Sequence, residues 1–410
     1  MYDFAAIGAW LEFAVRWTHV ITAIAWIGSS FYFIALDLGL HRDRNLASGA
    51  DGEEWQVHGG GFYHIQKYLI APEKMPDDLV WFKWEAYSTW LTGFALLILV
   101  YYLGAEFYLV DPAIADLAGW QAILISVGSL GFGWLAYDRI CKSKFGDDNT
   151  RLMLALYVIL VGIAYFYTHV FSGRAAMLHL GAFTATIMSA NVFFIIMPNQ
   201  RIVVADLKAG RVPDAKYGKI AKQRSTHNNY LTLPVIFMML SNHYPLAFAT
   251  DWTWLIASLV FLMGVTIRHY FNTVHSRKGN PTWTWLATAV LFLIVMWLST
   301  APMFRNDEPE EATGAAVRFA RAEGFAEVHD IVLGRCSMCH AAEPAWEGLL
   351  WPPKGVRLET ENQIARQARA IYLQAGLGHA MPPANLSFIE PAERAKIVAW
   401  YEAATSRDDG

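Results

Sequence analysis

Leu152-Met-Leu-Ala-Leu-Tyr-Val-Ile-Leu-Val-Gly-Ile-Ala-Tyr-Phe-Tyr-Thr-His169-Val-Phe171 runs for twenty residues without one Asp, Glu, Lys or Arg. At 1.5 Å per residue a helix of that length covers about 30 Å, the hydrocarbon thickness of a bilayer. Seven further segments share its texture: residues 11–38, 84–103, 120–140, 175–197, 228–242, 252–272 and 283–300. The stretch at 228–242 is short and is interrupted by Pro234. Trp10, Trp84, Tyr101, Tyr102, Trp120, Trp252, Trp283 and Trp285 cluster at segment ends, where membrane-interface anchors belong.

The whole composition agrees. Of 410 residues, 55% are hydrophobic and 17% charged, against roughly 25% charged in an ordinary soluble fold. Length alone would suggest two or three soluble domains, but the mean hydropathy of +0.27 overrides that expectation. A net charge of −4 offers no basic face, so nucleic acid drops out as a partner. Three cysteines, two of them in one pentapeptide, exclude a disulfide scaffold. No basic region precedes the first apolar run, which is therefore expected to remain as an anchor rather than be cleaved.

Orientation follows from the retention of Lys and Arg in cytoplasmic loops. One set of connections carries seventeen of them, from Arg42, Arg44, Lys67 and Lys74 through Lys142 and Arg211 to Arg277 and Lys278; the opposite set carries only Arg174. Both termini are thus expected outside, in the periplasm of a Gram-negative inner membrane. Trp17-Thr-His19-Val resembles Met177-Leu-His179-Leu, Ser88-Thr-Trp90-Leu-Thr92 resembles Asn228-Asn-Tyr230-Leu-Thr232, and Gly133 matches Gly264 in position. Four spans duplicated in parallel would explain these pairs; similar composition among membrane helices is the plainer account.

After residue 300 the texture changes to an acidic linker, Asn306-Asp-Glu-Pro-Glu-Glu311, and then a small helical segment with no span. Within it Cys336-Ser-Met-Cys339-His340 has the c-type haem attachment pattern. Two thiols one helical turn apart reach the two vinyl groups of a haem, and the adjacent imidazole becomes the proximal iron ligand. A zinc site would need further ligands, and Cys141 lies far off in the chain. Helices are expected over 318–333, leading into the motif, and over 390–404, with Ile397, Trp400 and Tyr401 on one side. Between them, Gly378-His379-Ala-Met381-Pro-Pro383 resembles the distal-ligand loop of small class I cytochromes c; Met381 is the preferred sixth ligand and His379 its competitor. The fold expected is all-α: an eight-span bundle over residues 1–302, a linker over 303–312 and a class I cytochrome c domain over 313–410.

Ionisable residues inside spans are expensive and are functional suspects. His19, His169 and His179 all fall in the outer third of their spans, with Glu12, Arg16 and Arg174 nearby in sequence. Such a layer would serve as a catalytic site or hold a second haem, and hydrogen-bonded structural histidines are the bland alternative. A second polar group, on the inner side, comprises Glu85, Thr226-His-Asn-Asn229 and Arg268-His269; a wet interface is its ordinary explanation. His58, His64 and Cys141 carry no pattern.

An eight-span region opening Arg16-Trp-Thr-His19-Val-Ile-Thr-Ala-Ile-Ala-Trp26-Ile-Gly28 and followed by Cys336-Ser-Met-Cys339-His340 resembles the membrane-bound cytochrome c urate oxidases over the full chain. The resemblance implies oxidation of urate to 5-hydroxyisourate, with electrons passing to covalent haem c and on to a soluble cytochrome c or a terminal oxidase instead of forming peroxide. An anion near the membrane surface calls for a guanidinium, with Arg16 and Arg174 the outer-side candidates, and a neutral His in the same layer would serve as general base. The first span is also similar to four-span families related to copper-resistance membrane proteins and haem-binding protoporphyrinogen oxidases, which brings haem b, ligated by His19, His169 or His179, into consideration. Two other functions remain open: a membrane-anchored electron-transfer cytochrome without its own substrate, and a dehydrogenase of another small reductant.

Overall fold

The computed structural model describes residues 4–68, 76–301, 311–312 and 316–406. The linker expected at 303–312 and Lys74 lie almost wholly outside that set. Helix α1 (Phe4–Gly39) is followed by a hairpin of β1 (Ala50–His58) and β2 (Gly61–Tyr68). Then come α2 (Trp84–Leu96), α3 (Gly119–Cys141), α4 (Asn149–Thr168), α5 (Gly173–Ala190), α6 (Met197–Lys208), α7 (Ala215–Ser241), α8 (Thr253–His275) and α9 (Trp283–Thr300). The C-terminal unit contains α10 (Val317–Ala320), α11 (Phe325–Arg335), α12 (Ser337–His340), α13 (Glu361–Arg366), α14 (Ala368–Ile371) and α15 (Pro391–Thr405).

Six helical stretches among the described residues are long and apolar enough to cross a membrane: Ile7–Gly39, Gly119–Cys141, Asn149–Thr168, Gly173–Lys208, Thr253–His275 and Trp283–Thr300. Two of the eight expected spans fall short for distinct reasons. The helix of α2 loosens into a π-turn over Leu97–Tyr102, so neither piece alone has the length. Helix α7 is long, but its first half is Lys-, Arg- and Asn-rich and Pro234 sits inside it. The span expected at 175–197 belongs to a longer rod: α5 passes through a π-turn over Asn191–Ile196 directly into α6. At 1.5 Å per residue that rod and α1 are each about 54 Å long, so both outrun the hydrocarbon core.

Helix α5 forms the centre, packed on α2, α3, α4 and α7, while α8 packs on α4, α7 and α9. Its inward residues Met177, Leu180, Phe183 and Ile187 are at most 1% exposed. Small residues set the close approaches. A Cβ added at Gly264 of α8 would stand 2.5 Å from the Pro234 ring of α7, and one at Gly133 of α3 would overlap the Phe183 ring of α5. The suggested repeat equates α1 with α5 and α2 with α7, and within each half the two helices lie side by side, α1 on α2 and α5 on α7.

The hairpin corrects the all-α expectation. Gly59 and Gly60 both take positive φ, as a two-residue hairpin turn of the primed type requires, and β1 pairs antiparallel with β2 from His58↔Gly61 to Ala50↔Tyr68. His64 is built into it, stacked on Trp55 at 4.2 Å and bonded through Nε2 to Glu53 Oε2 at 2.8 Å. That bond, the leading influence on Glu53, holds its carboxyl below the usual range. Asp37 at the end of α1 ties the annex together by pairing with Lys67 of β2 and, at 2.6 Å, with Lys222 of α7.

The C-terminal unit has its own core of Phe319, Val328, Val332, Ile364, Ile397 and Trp400. The helix expected over 318–333 is in fact two, because Gly324 takes φ +84° and breaks it. Helix α15 starts one residue later than expected and buries Ile397, Trp400 and Tyr401, the side anticipated from its pattern. This unit sits on one end of the bundle. Arg318 approaches Asp116 at 3.9 Å, Arg366 approaches Asp251 at 3.5 Å, and Ala113 packs against the C-terminal core.

Candidate functional site

Cys336, Cys339 and His340 occupy the corner where α11 ends and α12 turns. The backbone N–H groups of Cys339 and His340 both donate to the Cys336 carbonyl, at 3.2 and 3.0 Å, which places the two thiols on one turn. His340 directs Nδ1 to the Val356 carbonyl at 2.9 Å; a carbonyl only accepts, so this nitrogen carries the proton and Nε2 is left as the donor for iron. Burial, helped by neighbouring Cys339, pushes the Cys336 thiol up to about 11. Among the described residues no cluster of three or more His, Cys, Asp or Glu forms a metal site. Two unpaired thiols and an oriented imidazole are the donor set of covalent haem, so these residues fit that group.

The Met381 loop is held by one side chain. Arg394 of α15, 7% exposed, donates from Nη1 to the carbonyls of Ala375 (2.6 Å), Gly378 (3.2 Å) and Met381 (3.0 Å). A guanidinium is suited to this because its donors diverge from one rigid plane. Met381 packs half-buried against the same core as Cys336, whereas His379 lines an open cleft with Gly376 and Val398. Arg335 pairs with Glu393 at 3.0 Å and so ties the end of α11 to α15.

The three span histidines are not brought together. His19 lies between α1 and α2, its Nδ1 bonded to the Thr89 carbonyl at 3.0 Å and its ring against Gly93. His169 is exposed at the end of α4, with Nδ1 on the Tyr165 carbonyl at 2.8 Å and its ring tilted against the Tyr165 ring at 4.1 Å. His179 is fully buried, with Nδ1 on the Ala175 carbonyl at 2.8 Å and Nε2 without a partner. Phe171, Tyr101 and Tyr167 surround its ring at 4.9, 5.5 and 6.2 Å. All three imidazoles thus keep Nε2 as the available nitrogen, which suits iron ligation in chemistry, but no second imidazole shares the His179 pocket among the described residues.

Arg16 and Arg174 do converge, on Tyr101. Arg16 pairs with Glu12 one turn away. Arg174 donates through Nε to Asn242 Oδ1 and lies 5.6 Å from the Tyr108 ring centre; the Tyr101 hydroxyl, from a residue 3% exposed, donates to the same Asn242 oxygen at 3.4 Å. Tyr101 feels the charge of Arg174, Arg16 and also Arg369 of α14. Nothing in the sequence marked Tyr101, Asn242 or Arg369 as parts of one place.

The inner polar group forms two hydrogen-bonded clusters, one around Arg224 and one around Arg268. Arg224, 2% exposed, donates to Asp138 Oδ1 at 2.9 Å and Asn191 Oδ1 at 3.2 Å. His227 Nδ1 pairs with the Tyr137 hydroxyl at 2.7 Å, and Asn191 bonds Asn228 Oδ1 at 3.0 Å. Arg268 lies over Phe31 at 4.1 Å and reaches Asn229 and Asn272. Buried polar groups bonded to one another in this way help to specify helix register, although Arg224 Nε, His227 Nε2 and Asn229 Nδ2 are buried without partners among the described residues.

The urate oxidase N-terminal family model matches residues 5–299. The chain belongs to the urate oxidase N-terminal family. No curated protein and no solved structure matches it. The match begins within α1 and ends within α9, so the urate oxidase N-terminal region coincides with the bundle and stops before the haem-type motif. Membership identifies a urate oxidase-like oxidoreductase, and the six long apolar helices are compatible with a membrane setting.

Proposed function

We propose that the protein oxidises urate to 5-hydroxyisourate in the inner membrane and delivers the electrons, through haem c, to a soluble cytochrome c or a terminal oxidase. What carries this reading is a urate oxidase N-terminal region joined in one chain to a haem-type Cys-x-x-Cys-His turn, with the turn's unit seated on the end of the bundle that holds Arg16 and Arg174. The domains are residues 1–302 and 313–410. With α2 plus its π-turn and α7 counted as spans the bundle has eight, and the Lys/Arg asymmetry puts both termini in the periplasm.

Urate anion plus water gives 5-hydroxyisourate, two electrons and one proton. Haem would be held by Cys336, Cys339, His340 and Met381, and would supply one-electron acceptance at a raised potential. The protein's own part is to bind the anion, orient it and take the proton. Arg16 and Arg174 supply the positive charge, and Asn242 holds the Arg174 fork in place. His19 and His179 are the candidate bases or haem b ligands, and His169 stands apart on the surface of α4. A bare membrane anchor would need neither buried Arg nor several spans.

Urate added anaerobically to purified oxidised holoprotein is expected to reduce the haem c, with two haems reduced per urate consumed. A haem that dithionite reduces and urate does not would overturn the reading. Topology is checked separately: a periplasm-dependent reporter is expected to be active when fused after residue 300 and silent when inserted within 202–224.

A further inference from the structure

Arg369 lies on α14, yet its electrostatic neighbours come from both sides of the junction. Besides Tyr401 of its own unit they are Asp111, Arg174 and Tyr101 of the bundle. Its buried Nε and Nη2 have no hydrogen-bond partner among the described residues. Burial pulls its pKa down, Asp111 pulls it up and Arg174 pulls it down again. Among the described residues no carboxylate forms an ion pair with Arg369 or Arg174, whereas Arg16 is matched by Glu12. Arg369 and Arg174 therefore lie within electrostatic reach of each other, and Asp111 is the carboxylate that acts on Arg369. Buried N–H donors left without acceptors are costly, and a site that keeps them is organised for acceptors it does not supply itself.

The surroundings define those acceptors. Tyr101 and Tyr108 lie edge to face at 6.4 Å, with Arg174 over the Tyr108 ring, so the walls are aromatic and the donors are planar forks. Guanidinium forks match flat, delocalised anions with adjacent oxygen or nitrogen acceptors. From this we infer that the seam between the bundle and the C-terminal unit is the binding site for a planar anionic heterocycle, and that Arg369 of the C-terminal unit is a further guanidinium contact for it, joining Arg174 and Arg16. This deepens the proposed function and rests on its choice of urate as substrate. The site is then incomplete in either part alone, and the unit that carries the electron acceptor also holds the electron donor.

The test is equilibrium dialysis of radiolabelled urate, without oxygen, against full-length holoprotein whose haem has been reduced with dithionite and so cannot turn the ligand over. Arg369→Ala is expected to weaken urate binding at least tenfold and Arg369→Lys to fall between it and wild type. Arg366→Ala, which removes a seam ion pair outside the pocket, is expected to stay within twofold. Should Arg369→Ala not assemble, Arg369→Gln keeps the length, removes the charge and decides in the same way. Wild-type binding with unchanged affinity in the Arg369 variants overturns this inference alone. Equal loss in Arg366→Ala also overturns it, since docking and not contact would then be responsible. No binding by wild type overturns the urate reading as well.

Discussion

Full-length protein with both Cys336 and Cys339 changed to alanine is expected to hold no haem that survives denaturing electrophoresis, and its urate oxidation is expected to fall to background. The two thiols lie on one turn with no alternative partners among the described residues, and the remaining cysteine, Cys141, is in α3 of the bundle. His340 and Met381 would remain as ligands, so loosely bound haem is compatible with this outcome in native gels and covalent haem is not. Either single substitution leaves one thioether and is expected to retain a labelled band. Covalent haem in the double variant would show that the Cys-x-x-Cys-His reading is wrong.

Asp138→Ala carries the largest expected cost in stability. It strips the acidic partner from Arg224, which is 2% exposed and has only Asn191 left to accept from it. Breaking a buried ion pair on one side costs about 3–5 kcal/mol, because the surviving charge stays desolvated. At a fixed scan rate the apparent melting temperature in detergent is expected to drop by on the order of 10 °C. Two controls separate pairing from packing. Lys142→Ala removes an exposed partner of the same carboxylate and is expected to cost under about 1 kcal/mol. Replacing both members, Asp138→Leu with Arg224→Met, is expected to recover much of the loss. A double variant as unstable as Asp138→Ala would mean that the wider network, and not the pair, is at stake.

Hydrophobic runs in the sequence located the bundle well where a run was unbroken. Helix α9 spans Trp283–Thr300, the limits its apolar stretch defines. They failed where the signal had another period. The hairpin alternates instead of running, and its marker was the Gly59-Gly60 pair between two such stretches. Depth along the membrane normal follows from rise per residue, but the face a side chain takes is set by packing. Helix α4 buries Leu152, Leu156, Leu160, Ala164 and Tyr167, and His169 falls off that face, so a shared depth did not make it a neighbour of His179. Arg16 and Arg174 were legible as outer-side charges. Arg369 was not, because a residue in a short helix outside the spans gives no sign of which surface that helix will rest upon.

The order of synthesis gives the inner network a further meaning. Asp138 belongs to α3 and Asn191 follows α5, so both are made before the ribosome reaches Arg224 or Asn228. In the interval Asp138 has Lys142 of its own helix at 2.6 Å, and Asn191 has the Tyr137 hydroxyl at 3.3 Å, as provisional company. The helices that precede α7 therefore wait with an incomplete set of partners until α7 arrives. A nascent chain halted before α7 would expose that gap to the quality-control proteases of the membrane, whereas one halted after it would not. If the two halves began as copies, neither now completes itself: the later one supplies the cation that the earlier one was built around.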